Sequence, residues 1–457
     1  MNIFNYLFNI NIFTDTFHIL YLFMRTRFAP SPTGQLHVGN MRTALFTYLW
    51  AQKENGEFIL RIDDTDKARS FKKYETNILK TLKWQKLHWS SIVRQSQSTN
   101  IYQSIFDKAK KANLIYPAYE TKQELDHLLS NLRKQNKPSA YKRGMNCAST
   151  KLNPYWRFAL PNKEITWYDQ IQGKMKIHLR NFSDPIIFVN ENFTYLFCSV
   201  VDDLHLNISH IIRASDHLTN TAQQIAMFEA FKSFFDNKSE ILWSHISLVH
   251  MNNAKISKRN QSDFNIHDYI ENGLHADVLN NILVNLGRSK QVYDQSMQQL
   301  IENFNIANYS SSAVTFDVQQ MNISQLAYNS TMSINDAAQH FENEEFIHKF
   351  WHLLRENLYY KSDIAHWKIV FTQKQCFSIE NNIELSLFKK ISKIALQHTN
   401  DSWHELIINL TKQLQISKKQ IISIIRKILT GKSQGPKMND LYEHISEEVR
   451  TFRFKNQ

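Results

Sequence analysis

The sequence predicts an α/β N-terminal part built on a doubly wound parallel sheet, split by an insertion, followed by an all-α C-terminal part. Three observations predict it. A strand-like run, a run with a helical apolar period and a second strand-like run follow one another between Thr26 and Asp66. Another α/β stretch spans Tyr195 to about Val249, after a β-rich piece that separates it from the first. From about Met251 the pattern is helical, with few turn signals.

The elements follow in order. "TRFAPSP", Thr26–Pro32, is a short strand ending at a proline-rich turn. "GNMRTALFTYLWAQKENG" carries an apolar repeat of about 3.6 residues and stops at Asn55-Gly56. "EFILRIDDTD" is a continuous apolar run of the kind expected for a strand covered on both faces. Strand, helix, strand at this spacing is a βαβ unit and so implies a parallel sheet. Ser104–Arg143 reads as helical and basic; Tyr155–Asn190 reads as β-rich ("YWRFAL", "MKIHLRN", "PIIFV"). The expected divisions are 24–105 and 194–250 for the two halves of the sheet domain, 106–193 for the insertion, 251–330 for a connecting region and 331–457 for the helical domain.

Composition sets bounds. The 457 residues are 42% hydrophobic, with 54 Lys and Arg against 42 Asp and Glu, a net charge of +12. Such a surplus suits a polyanionic partner, because neutralising phosphates releases counterions. Cys147, Cys198 and Cys376 are the 3 cysteines, far apart and without a Cys-x-x-Cys. That usage fits a reducing compartment, here the cytoplasm, and argues against a cysteine-built zinc site. Residues 1–23 are apolar, lack Lys and Arg, and are broken by Asn5, Asn9, Asn11 and Asp15. They match neither a secretory signal, nor a transit peptide, nor a membrane span. The expected start is Met24, with 1–23 a disordered start-site extension.

Two segments carry chemistry. In a chain with only 9 Gly and 8 Pro, "APSPTGQLHVGN" concentrates both. In a doubly wound sheet ligands bind beyond the carboxyl ends of the strands, where Pro30, Ser31, Thr33 and Gly34 fall. The next helix begins near Val38 or Gly39. Its first N–H groups lack internal partners and attract phosphate oxygens, with His37 beside them. The second segment, "NNAKISKRN", puts Lys255, Lys258 and Arg259 around Ser257. A basic loop of this kind can stabilise charge developing on a phosphate. Either segment alone is also compatible with an ordinary loop.

Together, HVGN and KISKR resemble the HIGH and KMSKS signatures of class I aminoacyl-tRNA synthetases. "RFAPSPTGQLHVGNMRTAL", "LRIDDTDKARS", "YPAYETKQELD", "SVVDD", "ISHIIRASDHLTNTAQQ" and "KISKR", in that order, resemble the bacterial-type glutamyl-tRNA synthetases. The resemblance runs from Arg25 to about Phe452, dense in these blocks and thin in the C-terminal part.

The resemblance implies ATP-dependent formation of glutamyl-adenylate and transfer of glutamate to the 3′-terminal adenosine of tRNA(Glu), tRNA(Gln) or both. ATP would bind through Pro30, Thr33, Gly34, His37, Gly39, Asn40, Asp216, His217 and Lys258. Catalysis would fall to His37, Lys255, Ser257 and Lys258. Arg27, Arg213 and Tyr195 would face the side-chain carboxylate of glutamate, with Ser31 and Asp63 at its ammonium. The insertion would grip the acceptor end of tRNA, residues 251–330, with the KISKR loop, would contact its stem at the inner corner, and the helical domain would reach the anticodon. Contacts with tRNA are assigned to Thr65, Asp66, Arg69, Lys412, Lys418, Lys419, Arg426 and Lys427. From Thr411 to Lys437 there are 7 basic residues and no acidic one, which suits phosphate tracking.

Asp63 stands where many relatives have Glu, and Ala214 and Ser215 where they have Gly and Glu. Where some relatives hold zinc, this chain has "YPAYET" without cysteine, so no zinc is expected, only Mg²⁺ brought with ATP. A monomer is expected, with no membrane association. Three alternative functions would leave different marks on the sequence. A paralogue that glutamylates a modified tRNA base would lack the long stretch after KISKR. A glutaminyl-tRNA synthetase would open differently. A catalytically inactive RNA-binding or regulatory module would be expected to lose His37 or the KISKR lysines, which are present.

Overall fold

The computed structural model describes residues 24–145, 154–236, 240–251, 254–255, 264–377 and 382–456. Strands in chain order are β1 (Arg25–Phe28), β2 (Glu57–Ile62), β3 (Ser91–Arg94), β4 (Ile115–Ala118), β5 (Tyr155–Phe158), β6 (Glu164–Asp169), β7 (Gly173–His178), β8 (Ile186–Val189), β9 (Asn192–Phe193), β10 (His210–Ala214), β11 (Leu242–Ile246), β12 (Val249–Met251), β13 (Ala254–Lys255) and β14 (Val314–Thr315). The main sheet has 7 strands in the order β3-β2-β1-β10-β11-β6-β7. All its pairings are parallel except the β6–β7 hairpin. From β1 the chain winds outward to β2 and β3, and from β10 it winds the other way to β11. The order therefore reverses between β1 and β10, and in doubly wound sheets ligands bind at such a point beyond the carboxyl ends of the strands.

Local sequence explains the first unit. In "EFILRI" every residue after Glu57 is buried, as a strand covered on both faces requires. The helix Val38–Lys53 buries Met41, Ala44, Leu45 and Leu49, and the chain turns back at Asn55-Gly56. A side chain at Gly56 would put its Cβ 2.4 Å from the carbonyl oxygen of Met24, so only glycine lets β2 start this close to β1. Ile59, Tyr102, Ile105, Phe197, Val201, Ile211, Phe231 and Trp243 form the core beside the sheet.

Residues 106–193 divide between two sheets. β4, β5, β8 and β9 make an antiparallel sheet of 4 strands, whereas β6 and β7 join the main sheet beside β11. Strand propensity does not say which sheet a strand will join, because that depends on its neighbours. Within the stretch expected to be wholly helical, β4 separates helices Thr99–Lys111 and Lys122–Lys134. Its Pro117 is tolerated because β4 lies at the sheet edge.

The contacts divide the chain into two compact units: residues up to Phe264 with Leu279–Phe316, and Asn265–Val278 with Asp317 onward. The second unit is helical and packs around Phe350, Trp351, Trp367, Phe371, Leu406, Ile425 and Leu441. Its polar centre is Arg453, which is 0% exposed and donates to the carbonyl oxygens of Ile369, Val370, Gln373, Gln375 and Leu429. No described helix is long and apolar enough to cross a membrane.

Candidate active site

The loop after β1 is fastened by its carbonyls. Prolines cannot donate, but Pro30 accepts from Asp63 N at 3.1 Å and Pro32 from Phe71 N at 3.0 Å, while Thr33 N donates to Ser31 O at 2.8 Å. The loop thus lies against the residues that follow β2, where Asp63, Thr65, Asp66 and Arg69 stand. Arg69 is turned onto Asp66 at 2.6 Å, and its hydrogen bond, with the guanidinium charge behind it, holds the Asp66 carboxyl below the usual range.

His37 is the N-cap of the helix Val38–Lys53. Its Nδ1 accepts from Gly39 N at 3.1 Å and from Asn40 N at 3.3 Å, and Asn40 Oδ1 accepts from His37 N. Two of the amides expected to be open to phosphate are therefore taken by the imidazole. The same contact fixes the tautomer: in the neutral ring an accepting Nδ1 leaves the proton on Nε2. A Cβ on Gly39 would lie 3.0 Å from both Cε1 and Nδ1 of His37, so the glycine makes room for the ring.

On the two sides of the sheet's reversal point stand Arg27, in β1, and Arg213, in β10; they are 4% and 6% exposed. Arg27 grips Asp203 with Nε at 2.9 Å and Nη2 at 3.2 Å, while its Nη1 bonds to no described residue. Arg213 donates through Nε to His245 and through Nη2 to Thr221. Its Nη1 is buried with no hydrogen-bond partner in good geometry. Burial brings Arg213 down to about 10; Tyr195 alongside works the other way, and the nearby charge of Arg27 adds to the fall. The two arginines are thus close enough to repel. Tyr195, 40% exposed, opens the helix Tyr195–His205.

Arg61, Asp202 and Asp203, which fall inside the blocks LRIDDTDKARS and SVVDD but carry no role assigned from sequence, complete this buried cluster. Arg61, 0% exposed, holds Asp63 at 2.7 and 3.2 Å and Asp203 at 2.8 Å. Asp63 is thus engaged from one side by Arg61, and burial still pushes its carboxyl up despite that partner. Asp202 accepts from Tyr102 Oη at 2.8 Å and Gln95 Nε2 at 2.8 Å; burial pushes it up to about 6. A signal was present: adjacent carboxylates in the otherwise apolar "YLFCSVVDDL" and an arginine inside "FILRI" are charges that cannot be buried unless paired.

After β10, Asp216 is exposed and His217 half-buried in one short turn. Burial, then the charge of Arg213, pushes His217 down to about 4, so its ring is neutral at physiological pH. Lys255 falls in β13, whose backbone pairs with β12, while Ser257 and Lys258 lie outside the described residues. In the helical unit Lys412, Lys418 and Lys419 are exposed and Lys427 is half-buried. Arg426 is also half-buried, with Nη1 donating to Pro436 O at 2.8 Å.

Comparison with known proteins gives this geometry a context. Residues 23–323 match the family of class I tRNA synthetases (E and Q), catalytic domain, and residues 333–456 match an anticodon binding domain. Among similar proteins, glutamate–tRNA ligase 1 of Wolbachia pipientis (strain wPip) is 33% identical over 444 residues, 93% of this chain and 96% of that one. Glutamate–tRNA ligase 1 of Rickettsia prowazekii is 34% identical, covering 93% and 97%. In fold the chain resembles the crystal structure of a glutamate-tRNA synthetase from Elizabethkingia anophelis, with a TM-score of 0.72 at 24% identity, covering 95% of this chain and 99% of that one. The family match over the sheet domain, the anticodon-domain match over the helical part and these bacterial relatives agree: the chain belongs to the class I tRNA synthetases (E and Q), in their bacterial form.

Proposed function

We propose that the protein is a glutamate–tRNA ligase, joining L-glutamate to ATP as glutamyl-adenylate with release of pyrophosphate, then passing the glutamyl group to the 3′-terminal adenosine of tRNA(Glu). One observation carries the reading. Arg27 and Arg213 stand on adjoining strands at the sheet's reversal point, near enough for their charges to interact, and Arg213 Nη1, beside Tyr195, is buried with no hydrogen-bond partner in good geometry. Arg27 already has the Asp203 carboxylate, whereas Arg213 hydrogen-bonds only to the neutral partners His245 and Thr221, so a ligand carboxylate here supplies the missing countercharge. Glutamine is close to glutamate in shape but neutral, and would leave that charge unmatched. Breaking a buried pair in this way costs about 3–5 kcal/mol, roughly a hundredfold or more in selectivity.

The remaining roles are those the family resemblance implies. Tyr195 flanks the carboxylate. Ser31 and Asp63 receive the ammonium, Asp63 having lone pairs to spare beyond those Arg61 uses. Nε2–H of His37 donates to ATP phosphates, joined by the backbone at Gly39 and Asn40 when the imidazole yields its amides. Pro30, Thr33, Gly34, Asp216 and His217 shape the nucleotide pocket, and ATP brings Mg²⁺. Lys258 stabilises charge on the α-phosphate as pyrophosphate leaves, with Lys255 and Ser257 shaping its loop. Thr65, Asp66 and Arg69 serve the acceptor end of tRNA. Lys412, Lys418, Lys419 and Lys427 serve its anticodon arm; Arg426 supports their helix through Pro436.

The test is acylation of purified tRNA(Glu) and tRNA(Gln) with labelled glutamate, side by side. Charging of tRNA(Glu), with or without tRNA(Gln), supports the proposal; charging of neither overturns it.

A further inference from the structure

Arg213 is held by its neighbour across the sheet. In the parallel pairing of β10 with β11, the Cα of Arg213 stands opposite that of His245. Arg213 Nε donates to His245 Nε2 at 3.2 Å, and Thr221 Oγ1, which accepts from Arg213 Nη2, lies 2.8 Å from the same imidazole nitrogen. Across the ring, His245 Nδ1 is 2.5 Å from Asp169 Oδ2. The other oxygen of Asp169 accepts from the backbone amides of Ile171, Gln172 and His245 at 3.1, 3.0 and 3.1 Å. Asp169 and His245 are both 0% exposed. The Trp243 ring lies parallel to the imidazole, within 9°, and its face is 5.1 Å from the Arg213 guanidinium.

This chain of contacts has a direction. His245 Nε2 accepts from a guanidinium only when the ring is neutral with its proton on Nδ1. A carboxylate only accepts, so Asp169 places the proton on that nitrogen. Burial favours the neutral ring, and the charge of Arg213 works the same way against the pull of Asp169. With Nε and Nη2 of Arg213 committed, Nη1 remains as the donor for a ligand.

We infer that Asp169 and His245 are positioning residues for recognition of the acidic side chain: through the imidazole tautomer they fix the plane of Arg213, leave Nη1 for the ligand carboxylate, and so set the preference for carboxylate over amide. The inference rests on the glutamate-binding role of Arg213 proposed above. It adds a β6 residue, far from the signature blocks in sequence, to the selectivity of the site.

Asp169→Asn separates positioning from mere packing. Its Oδ1 can still accept the three amides, but its Nδ2 donates to His245 Nδ1 and drives the ring proton to Nε2, where it opposes Arg213 Nε–H. In tRNA charging, KM for glutamate should rise about tenfold or more, and the glutamate-over-glutamine ratio should fall comparably. KM for ATP should stay within about threefold. A second pair of variants decides the matter even if that one folds poorly. His245→Gln keeps an acceptor facing Arg213 and should retain most glutamate affinity, whereas His245→Leu should lose it. Wild-type protein that does not charge tRNA with glutamate overturns the proposed function, and this inference with it. An active wild type whose Asp169→Asn variant has an unchanged glutamate KM, or raises the KM of glutamate and ATP alike, overturns the inference alone. So do equal effects of the Gln and Leu variants.

Discussion

Arg27 and Arg61 converge on a single oxygen: Asp203 Oδ1 accepts from Arg27 Nε at 2.9 Å and from Arg61 Nη1 at 2.8 Å. The arginines come from neighbouring parallel strands, the carboxylate from the helix Tyr195–His205. One buried anion therefore fixes the planes of both guanidinium groups. Arg61 passes the constraint on to Asp63, so the residues proposed for the glutamate carboxylate and the glutamate ammonium share one support.

Asp203→Asn keeps the volume and removes the charge, leaving two buried guanidinium groups with less compensation. Loss of about 3–5 kcal/mol of stability is expected, together with a higher KM for glutamate. Urea unfolding at neutral pH measures the first and tRNA charging the second. A loss below about 1 kcal/mol with normal KM would contradict the role given to Asp203.

Gly39→Ala should change stability little, because the helix propensity of alanine, about 1 kcal/mol over glycine, is offset by strain on the His37 cap. The new methyl group would crowd the His37 ring, 3.0 Å away, and displace the Nε2 donor. The rate of pyrophosphate exchange should fall about 10–100-fold with little change in glutamate KM. Unaltered exchange would show that His37 tolerates the shift and does not meet the phosphates as proposed.

Asp202 has a sign that can be worked out. Burial raises its folded value to about 6, above the ordinary carboxylate value. The native chain therefore binds more protons than the unfolded chain between about pH 4 and 6, and this group's contribution to stability falls as pH rises through that window. Asp202→Asn removes the slope. The unfolding free energy of the variant, relative to the parent, should improve by ~1–3 kcal/mol between pH 4 and 7. A difference that does not vary with pH would count against a raised Asp202.

Arg453 organises the helical unit without a carboxylate among its hydrogen-bond partners; burial alone brings it down to about 10, and Cys376 nearby works the other way. Its planar fork reaches carbonyls in the last turn of Lys361–Thr372, just beyond that helix and within Lys418–Thr430, as the ammonium of lysine cannot. Arg453→Lys should cost about 3 kcal/mol or more, because several buried carbonyls lose their donor. Chemical denaturation tests this; a change within about 0.5 kcal/mol would contradict it.

The sheet was legible because its first βαβ unit is local: the apolar run of β2 and the helical period before it are separated only by Asn55-Gly56. The destination of the β6–β7 hairpin was not, because pairing with β11 joins Asp169 to Trp243 across a long stretch of chain. The same distance hid the Asp169–His245–Arg213 chain, in which neither Asp169 nor His245 belongs to a recognisable block. His37 was legible as a residue beside a helix start, but its role as the cap was not. That role depends on a ring orientation for which Gly39 leaves space. Arg61 and the Asp202–Asp203 pair could have been found from their charge in apolar segments; their partners could not.

The most direct measurement compares L-glutamate with L-glutamine as substrates for tRNA-dependent pyrophosphate exchange by the purified protein. Efficient exchange with glutamate and a kcat/KM for glutamine lower by roughly a hundredfold or more is the expected result, because Arg27 and Arg213 require a charge between them. Comparable exchange with glutamine, or none with glutamate, would contradict it.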